Sequence, residues 1–175
     1  MLRVVTIAVA LAALAIPAKA LAMAKPVASG TIRVNASVGQ VRLGLPRAAV
    51  VRRIGDPLEQ YSKDDWGWDG AASTFGVVFD HERVARISIA GHARFCIRAR
   101  VCLGSRGGVG YLRHKYGARL RFFDAEDGTR AAILVGKLGS RRVFTIFGDL
   151  SSNRSAGRFR SVLLGDCRRG VTRPC

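Results

Sequence analysis

Apolar residues in the middle of this chain alternate with a period of two, and that alternation limits the fold more than any other feature. Phe75, Val77 and Phe79 occupy every second position, as do Ala85, Ile87 and Ile89, and the two runs flank the turn Asp80-His81-Glu82-Arg83. A period of two puts these side chains on one face of a strand pair, so the segment reads as a β-hairpin with a buried face. Two more runs, 131–138 and 143–147, flank Gly139-Ser140-Arg141-Arg142. Residues 120–124 read as a strand leading into them through the Glu126-Asp127-Gly128 turn, and 159–164 as the last strand. Residues 31–35 alternate like a short strand near the start. Twenty glycines and few aromatics favour turns and short elements over long helices.

Two helices precede these strands. Pro46 suits the first turn of one, where its missing N–H costs nothing, and Val50 and Ile54 share a face at i, i+4. Gly55 can take the left-handed position that ends a helix, and Pro57 prevents continuation. In the other, Val109, Leu112 and Tyr116 recur at i, i+3, i+7, with Ser105 as the expected cap and Gly117 as the stop. Val101-Cys102-Leu103-Gly104 echoes Val41-Arg42-Leu43-Gly44, so the chain reads as two helix-then-meander motifs offset by about 60 residues. The expected fold is α+β: two tandem motifs, helices packed on one face of antiparallel sheet, and two disulfides. Residues 25–40 are expected to form an N-terminal segment, 41–91 the first motif, 92–167 the second, and 168–175 a basic C-terminal tail.

The first 24 residues read as an export signal. Arg3 supplies a positive start, 4–18 is an uncharged apolar run, and Lys19 closes it before Ala20-Leu21-Ala22 and Ala22-Met23-Ala24. That run is short for a permanent membrane anchor, which wants about 20 apolar residues, so no transmembrane span is expected in the mature chain. No cysteine stands near the cleavage site to accept a lipid. The expected location is therefore extracellular, periplasmic or cell-wall. Four cysteines, Cys96, Cys102, Cys167 and Cys175, suit an oxidising compartment and allow three pairings. In one continuous strand, Cys96 and Cys102 would lie ~20 Å apart, whereas a disulfide needs Cα atoms within about 7 Å. A Cys96–Cys102 bridge thus requires a loop, and two local staples, Cys96–Cys102 and Cys167–Cys175, are the expectation.

Charge points to anionic partners. The chain carries 29 Lys and Arg against 12 Asp and Glu, and removing Arg3 and Lys19 with the leader leaves a formal +15. Ten basic residues and no acidic one fall between Arg83 and Phe123. Such a field attracts teichoic acids, acidic polysaccharides or acidic lipids, with Arg98, Arg100, Arg106, Arg113, Arg119 and Arg121 as candidate contacts. A compositional origin fits equally, since 24 of the 29 are arginine in an Ala- and Gly-rich chain. No specific nucleic-acid reader emerges: the basic region holds Phe95, Tyr111 and Tyr116, but Tyr116 belongs to a core face.

Little points to catalysis. His81, His92 and His114 have no G-x-S-x-G elbow to serve, so a secreted hydrolase is the least favoured of three readings. Gly104-Ser105-Arg106-Gly107-Gly108-Val109-Gly110 precedes a helix as phosphate loops do, yet matches neither common nucleotide motif. Asp64, Asp65 and Asp69 lack the spacing of an EF-hand calcium loop, and the cysteine spacings do not suit a metal. No cofactor or metal is expected. Trp66 and Trp68 share one strand face and, with Tyr61, make a candidate protein-binding patch; the alternative is that both tryptophans cover the end of the sheet. Asn35-Ala36-Ser37 and Asn153-Arg154-Ser155 are glycosylation sequons in a eukaryotic host.

The stretch Val41-Arg42-Leu43-Gly44-Leu45-Pro46 through Ile54-Gly55-Asp56-Pro57, then Trp66-Gly67-Trp68, Val77-Val78-Phe79-Asp80 and Val84-Ala85-Arg86-Ile87, resembles the SmpA/OmlA (BamE-like) and β-lactamase-inhibitor-protein-like family. The resemblance covers roughly 50 residues, with a looser second copy. It implies helices on one face of an antiparallel sheet, an exported location, and non-catalytic binding of proteins or envelope components. Members of the BamE-like branch are typically lipoproteins, whereas no lipobox cysteine is found here, and the resemblance does not extend to the loop residues of the inhibitors, so β-lactamase inhibition is not implied. Fold does not fix function, so a protein and an anionic envelope polymer both stand as expected partners.

Overall fold

The computed structural model describes residues 27, 29–70, 73–91, 94–151, 155–167 and 175. The expected leader, His92, the second sequon's Asn153 and nearly all of the basic tail lie outside them. In chain order the elements are β1 (Ser29–Arg33), β2 (Ser37–Val38), β3 (Val41–Arg42), α1 (Arg47–Ile54), β4 (Glu59–Gln60), β5 (Asp65–Gly67), β6 (Ser73–Asp80), β7 (Arg83–Gly91), β8 (Arg94–Arg98), β9 (Val101–Cys102), α2 (Gly108–Tyr116), β10 (Leu120–Asp124), β11 (Arg130–Leu138), β12 (Arg141–Gly148) and β13 (Ser161–Asp166). One sheet runs β10-β11-β12-β13-β7-β6-β5-β4 and a smaller one β3-β2-β1-β8-β9. The fold is α+β, as expected, but richer in sheet than the sequence suggested. Strands of two or three residues, such as β2, β3, β4, β5 and β9, are too short for alternation to show.

The inward faces follow the period-two pattern with one correction. Phe75 pairs with Ile89 and Val77 with Ile87, but a bulge between Val78 and Phe79 sets Phe79 opposite Val84. Val84 therefore fills the core position expected of Ala85, which is left half-buried. A bulge adds one residue to one strand and so flips the inward register beyond it. The turn places His81 and Glu82 at φ 46° and 60°, the left-handed pair that matches the twist of a two-residue hairpin.

Both helices bury small apolar faces into one core: Ala49 and Val50 from α1, Val109 and Leu112 from α2. Gly55 ends α1 at φ 85° and its N–H donates to the Val51 carbonyl, the stop that the sequence signals. The cap of α2 is Gly107 rather than Ser105. The Ser105 hydroxyl is already engaged by Cys102, accepting from its N–H at 2.9 Å and donating to its carbonyl at 2.7 Å. Among the described residues no helix is long and apolar enough to cross a membrane.

The two disulfides are Cys96–Cys102 and Cys167–Cys175. The segment holding the first is a tight hairpin, not the expected loop. Chain reversal at Ala99 and Arg100 makes Cys96 and Cys102 cross-strand neighbours, with Cα atoms 3.8 Å apart.

Aromatic rings tie the layers together. Trp66 packs on Phe79 at 4.8 Å between centroids and on Trp68 at 6.1 Å; Trp68 meets Phe75 at 6.1 Å, and Phe75 stacks on Phe95 of the small sheet at 5.9 Å. Arg47, the first residue of α1, closes this line from outside. Its guanidinium lies 4.8 Å from the Trp66 centroid and 4.5 Å from that of Phe79. It also pairs with Asp64, reaches Glu82 at 2.9 Å and donates to the Lys63 carbonyl at 2.6 Å. Asp64 and Glu82 are half or more exposed, so these ion pairs add little and the stacked rings carry most of the contact. A second tie joins the chain's start to β12. The Asn35 N–H donates to Thr145 Oγ1 at 2.7 Å, and the Thr145 hydroxyl donates back to Asn35 Oδ1 at 2.8 Å; Thr145 is fully buried.

Two stability outcomes follow from these ties. Thr145→Val keeps the shape but strips two hydrogen bonds, and should cost about 1–2 kcal/mol, read as a lower urea midpoint at unchanged slope. Arg47→Ala should cost about 1–3 kcal/mol in thermal unfolding, with Arg47→Lys recovering less than half because an ammonium lacks the planar stack.

Candidate anion-binding surface

The three aromatic residues expected to form a protein-binding patch do not share a surface. Trp68 is fully buried and Trp66 nearly so. The Trp68 indole N–H donates to the Gly55 carbonyl at 3.3 Å. Both rings cover the end of the sheet, where apolar area is worth more against Phe75 and Phe79 than in water. Only Tyr61 is exposed. Its hydroxyl donates to Asp69 Oδ2 at 2.6 Å, and the Asp69 and Glu59 carboxylates hold the phenol well above its ordinary range. Tyr61 alone remains of that patch.

The six candidate arginines, by contrast, are all exposed. Arg98 lies on β8, Arg100 in the turn after it, Arg106 before α2, Arg113 on α2, Arg119 in the 3-10 turn that follows, and Arg121 on β10. The fold collects part of this set around α2. The Arg98 guanidinium lies 4.9 Å from the Tyr111 ring centroid, and the Lys115 ammonium reaches the same ring from the next helical turn at 5.5 Å. Lys115 also sits 5.4 Å from the Tyr116 ring, while Arg113 covers Phe122 at 4.5 Å. None of these cations has a carboxylate within ion-pair distance among the described residues.

Each cation lies over an aromatic ring, where the face of the π-system attracts it. A hydrogen bond to the Tyr111 phenol raises the Lys115 ammonium above its ordinary value, so it is charged at neutral pH. Burial raises the Tyr116 phenol, against the pull of the Lys115 charge. Lys115 and Tyr111 were absent from the expected contact set. Their i, i+4 spacing on a helix was the signal that finds them; Phe122, on a separate strand, left none.

The glycine-rich segment ahead of α2 is not a phosphate cradle. The N–H groups of Gly107, Val109 and Gly110 donate to the carbonyls of Ala156, Gly157 and Ser155 at 3.3, 3.1 and 3.2 Å, so they are unavailable to an anion. The glycines serve close packing. A Cβ on Gly108 would stand 2.8 Å from the Phe159 ring, and one on Gly110 would stand 2.6 Å from the Ser155 carbonyl. His81 pairs with neighbouring Asp80 at 2.9 Å in the hairpin turn, and His114 is exposed on α2. Asp64 and Asp69 serve Arg47, Tyr61 and the Phe75 N–H, and no cluster of metal-binding side chains occurs among the described residues.

No family model matches this chain, and no curated protein matches it either, so the resemblance to the SmpA/OmlA and inhibitor-protein family gains no support there. Among solved structures the chain is similar to a cysteine-rich secretory protein from Staphylococcus aureus, at 12% identity and a TM-score of 0.43. The match covers 70% of this chain and 44% of that one. This chain therefore spans under half the length of that structure, and a likeness of this degree carries no argument about function.

Proposed function

We propose that this is an exported, non-catalytic domain that binds anionic envelope polymers through the cationic surface around α2. The observation that carries the reading is the group Arg98, Arg113 and Lys115. All three are exposed, held over aromatic rings, and without a carboxylate partner among the described residues. Stacking on Tyr111 and Phe122 limits the freedom of long side chains that would otherwise be costly to order on binding. Two disulfides suit the oxidising setting of an exported protein. The two-motif view of the fold belongs to the same proposal. Its support is the succession of a helix and then strands on each side of the β7–β13 junction, α1 before β4 to β7 and α2 before β10 to β13.

The protein-interaction reading is weaker here, because two of its three anchor residues are buried. The mature chain should be retained on a polyol-phosphate or acidic polysaccharide matrix at ~0.15 M salt and released by about 0.5 M, as screening shortens from ~8 Å toward ~3 Å at 1 M. The triple variant Arg98→Ala/Arg113→Ala/Lys115→Ala should elute at clearly lower salt. Retention at pH 10 should match that at pH 7: arginine stays charged throughout, and the raised Lys115 loses its proton only above its ordinary value. A stoichiometric protein partner held at ~1 M salt, with the triple variant eluting unchanged, overturns the proposal.

A further inference from the structure

The small sheet carries a second concentration of positive charge, on β1, β3 and the end of α1, outside the set that the sequence singled out. Ile32, Val38 and Val41 point from it into the core. By the alternation of a strand, Thr31, Arg33, Ser37 and Arg42 stand on the opposite face. The register pairs Arg33 with Ser37 and Ser37 with Arg42, so two guanidinium arms flank one short hydroxyl across three adjacent strands. With neighbouring strands ~4.8 Å apart, the two arginine Cα atoms are separated by about 10 Å, and both side chains are long enough to meet one group held over Ser37.

Arg53, in the last turn of α1, closes another side. Its Nη1 donates to the Gln40 carbonyl at 2.9 Å, which fixes the guanidinium beside the β2–β3 turn. Thr31, Arg33, Ser37, Gly39, Gln40, Arg42 and Arg53 together line a cavity of about 340 Å³, a size that small-ligand sites commonly have. No carboxylate lines it, and none of the three arginines forms an ion pair among the described residues. Three cations without a counter-charge around a concave, hydroxyl-lined floor ask for more negative charge than one carboxylate brings. Tetrahedral oxyanions meet that demand and match the forked donors of arginine.

We infer that Arg33, Arg42 and Arg53 form a site for a phosphoryl group, with the Ser37 and Thr31 hydroxyls as further donors. The site does not depend on the α2 surface binding a polymer. Its test is calorimetric titration of the mature chain at ~0.15 M salt, with inorganic pyrophosphate in one arm and a glycerol-phosphate oligomer in the other. Pyrophosphate should bind saturably at one site. Arg33→Ala and Arg42→Ala should each weaken it about ten-fold or more, as loss of a charge-assisted contact does.

Arg52→Ala, which removes an exposed charge next to Arg53 but outside the cavity, should change the affinity less than about two-fold. Tighter binding of the oligomer identifies a phosphodiester polymer as the source, and preference for pyrophosphate identifies a free or terminal diphosphate group; either outcome supports the site. The double variant Arg113→Ala/Lys115→Ala, confined to α2, should leave pyrophosphate binding intact, which separates failure of the polymer reading from failure of this one. Absence of saturable pyrophosphate binding, or equal weakening by Arg52→Ala and Arg33→Ala, overturns the inference.

Discussion

β7 and β13 come from distant parts of the chain and lie side by side in antiparallel register, with Ile87 opposite Leu164 and Ile89 opposite Val162. All four side chains are buried. This pairing joins β4 to β7 with β10 to β13 into one sheet. It also sets both helices over a shared core, because Val50, Val109 and Leu112 pack into the same cluster as these strands. A strand left with an open apolar edge is a liability in water, and each of these two strands covers the other's edge.

The small sheet depends on that core in turn. Phe95 anchors β8 by stacking on Phe75 of the large sheet, and β1 pairs in parallel with β8. The N-terminal segment expected ahead of the first motif is thereby built into the fold, from Ser29 onward. The Cys96–Cys102 bridge closes the β8–β9 hairpin, and Arg98, just beyond Cys96, is delivered to the Tyr111 ring on α2. Both cationic sites thus sit on elements whose positions follow from apolar packing. Arg33, Arg42 and Arg98 are placed on the solvent face because the alternate positions of their strands are committed to the core, and Arg53, Arg113 and Lys115 because the apolar faces of α1 and α2 are.

The charge distribution has a physical logic beyond its size. Arg47 is nearly buried, stacked and paired with two carboxylates, and Arg141 reaches Asp166 at 3.4 Å and the Leu43 carbonyl at 3.2 Å. Those arginines hold the structure together. Arg33, Arg42, Arg98 and Arg113 have no carboxylate partner among the described residues, so their fields project outward. Composition treats all of these arginines alike. Neighbours 17 to 98 residues away in sequence separate the structural ones from those free to meet a ligand.

The sequence by itself determined the elements whose signals are local: the β6–β7 hairpin from its alternation, the ends of α1 from Pro46 and Gly55, and the stretch of β10; it favoured the two short-range disulfides among three pairings without the hairpin that brings Cys96 to Cys102. The hairpin, the helix ends and β10 rest on periodicity and backbone chirality, which operate over a few residues. Only the folded structure decided the pairings, near or far in sequence, that no periodic pattern announces. The bulge after Val78 exchanged Ala85 for Val84 in the core, and Cys102 took the Ser105 hydroxyl away from the helix cap. Packing against Phe75 and Phe79 buried the tryptophans, which settled between the binding patch and the sheet cover that the sequence left open. The row of Arg33, Ser37 and Arg42 arises only when three strands pair in register. The three residues lie within ten positions of one another, yet strands as short as β2 and β3 show no alternation, so hydrogen bonds between strands and the burial of Ile32, Val38 and Val41 beneath them fix the register.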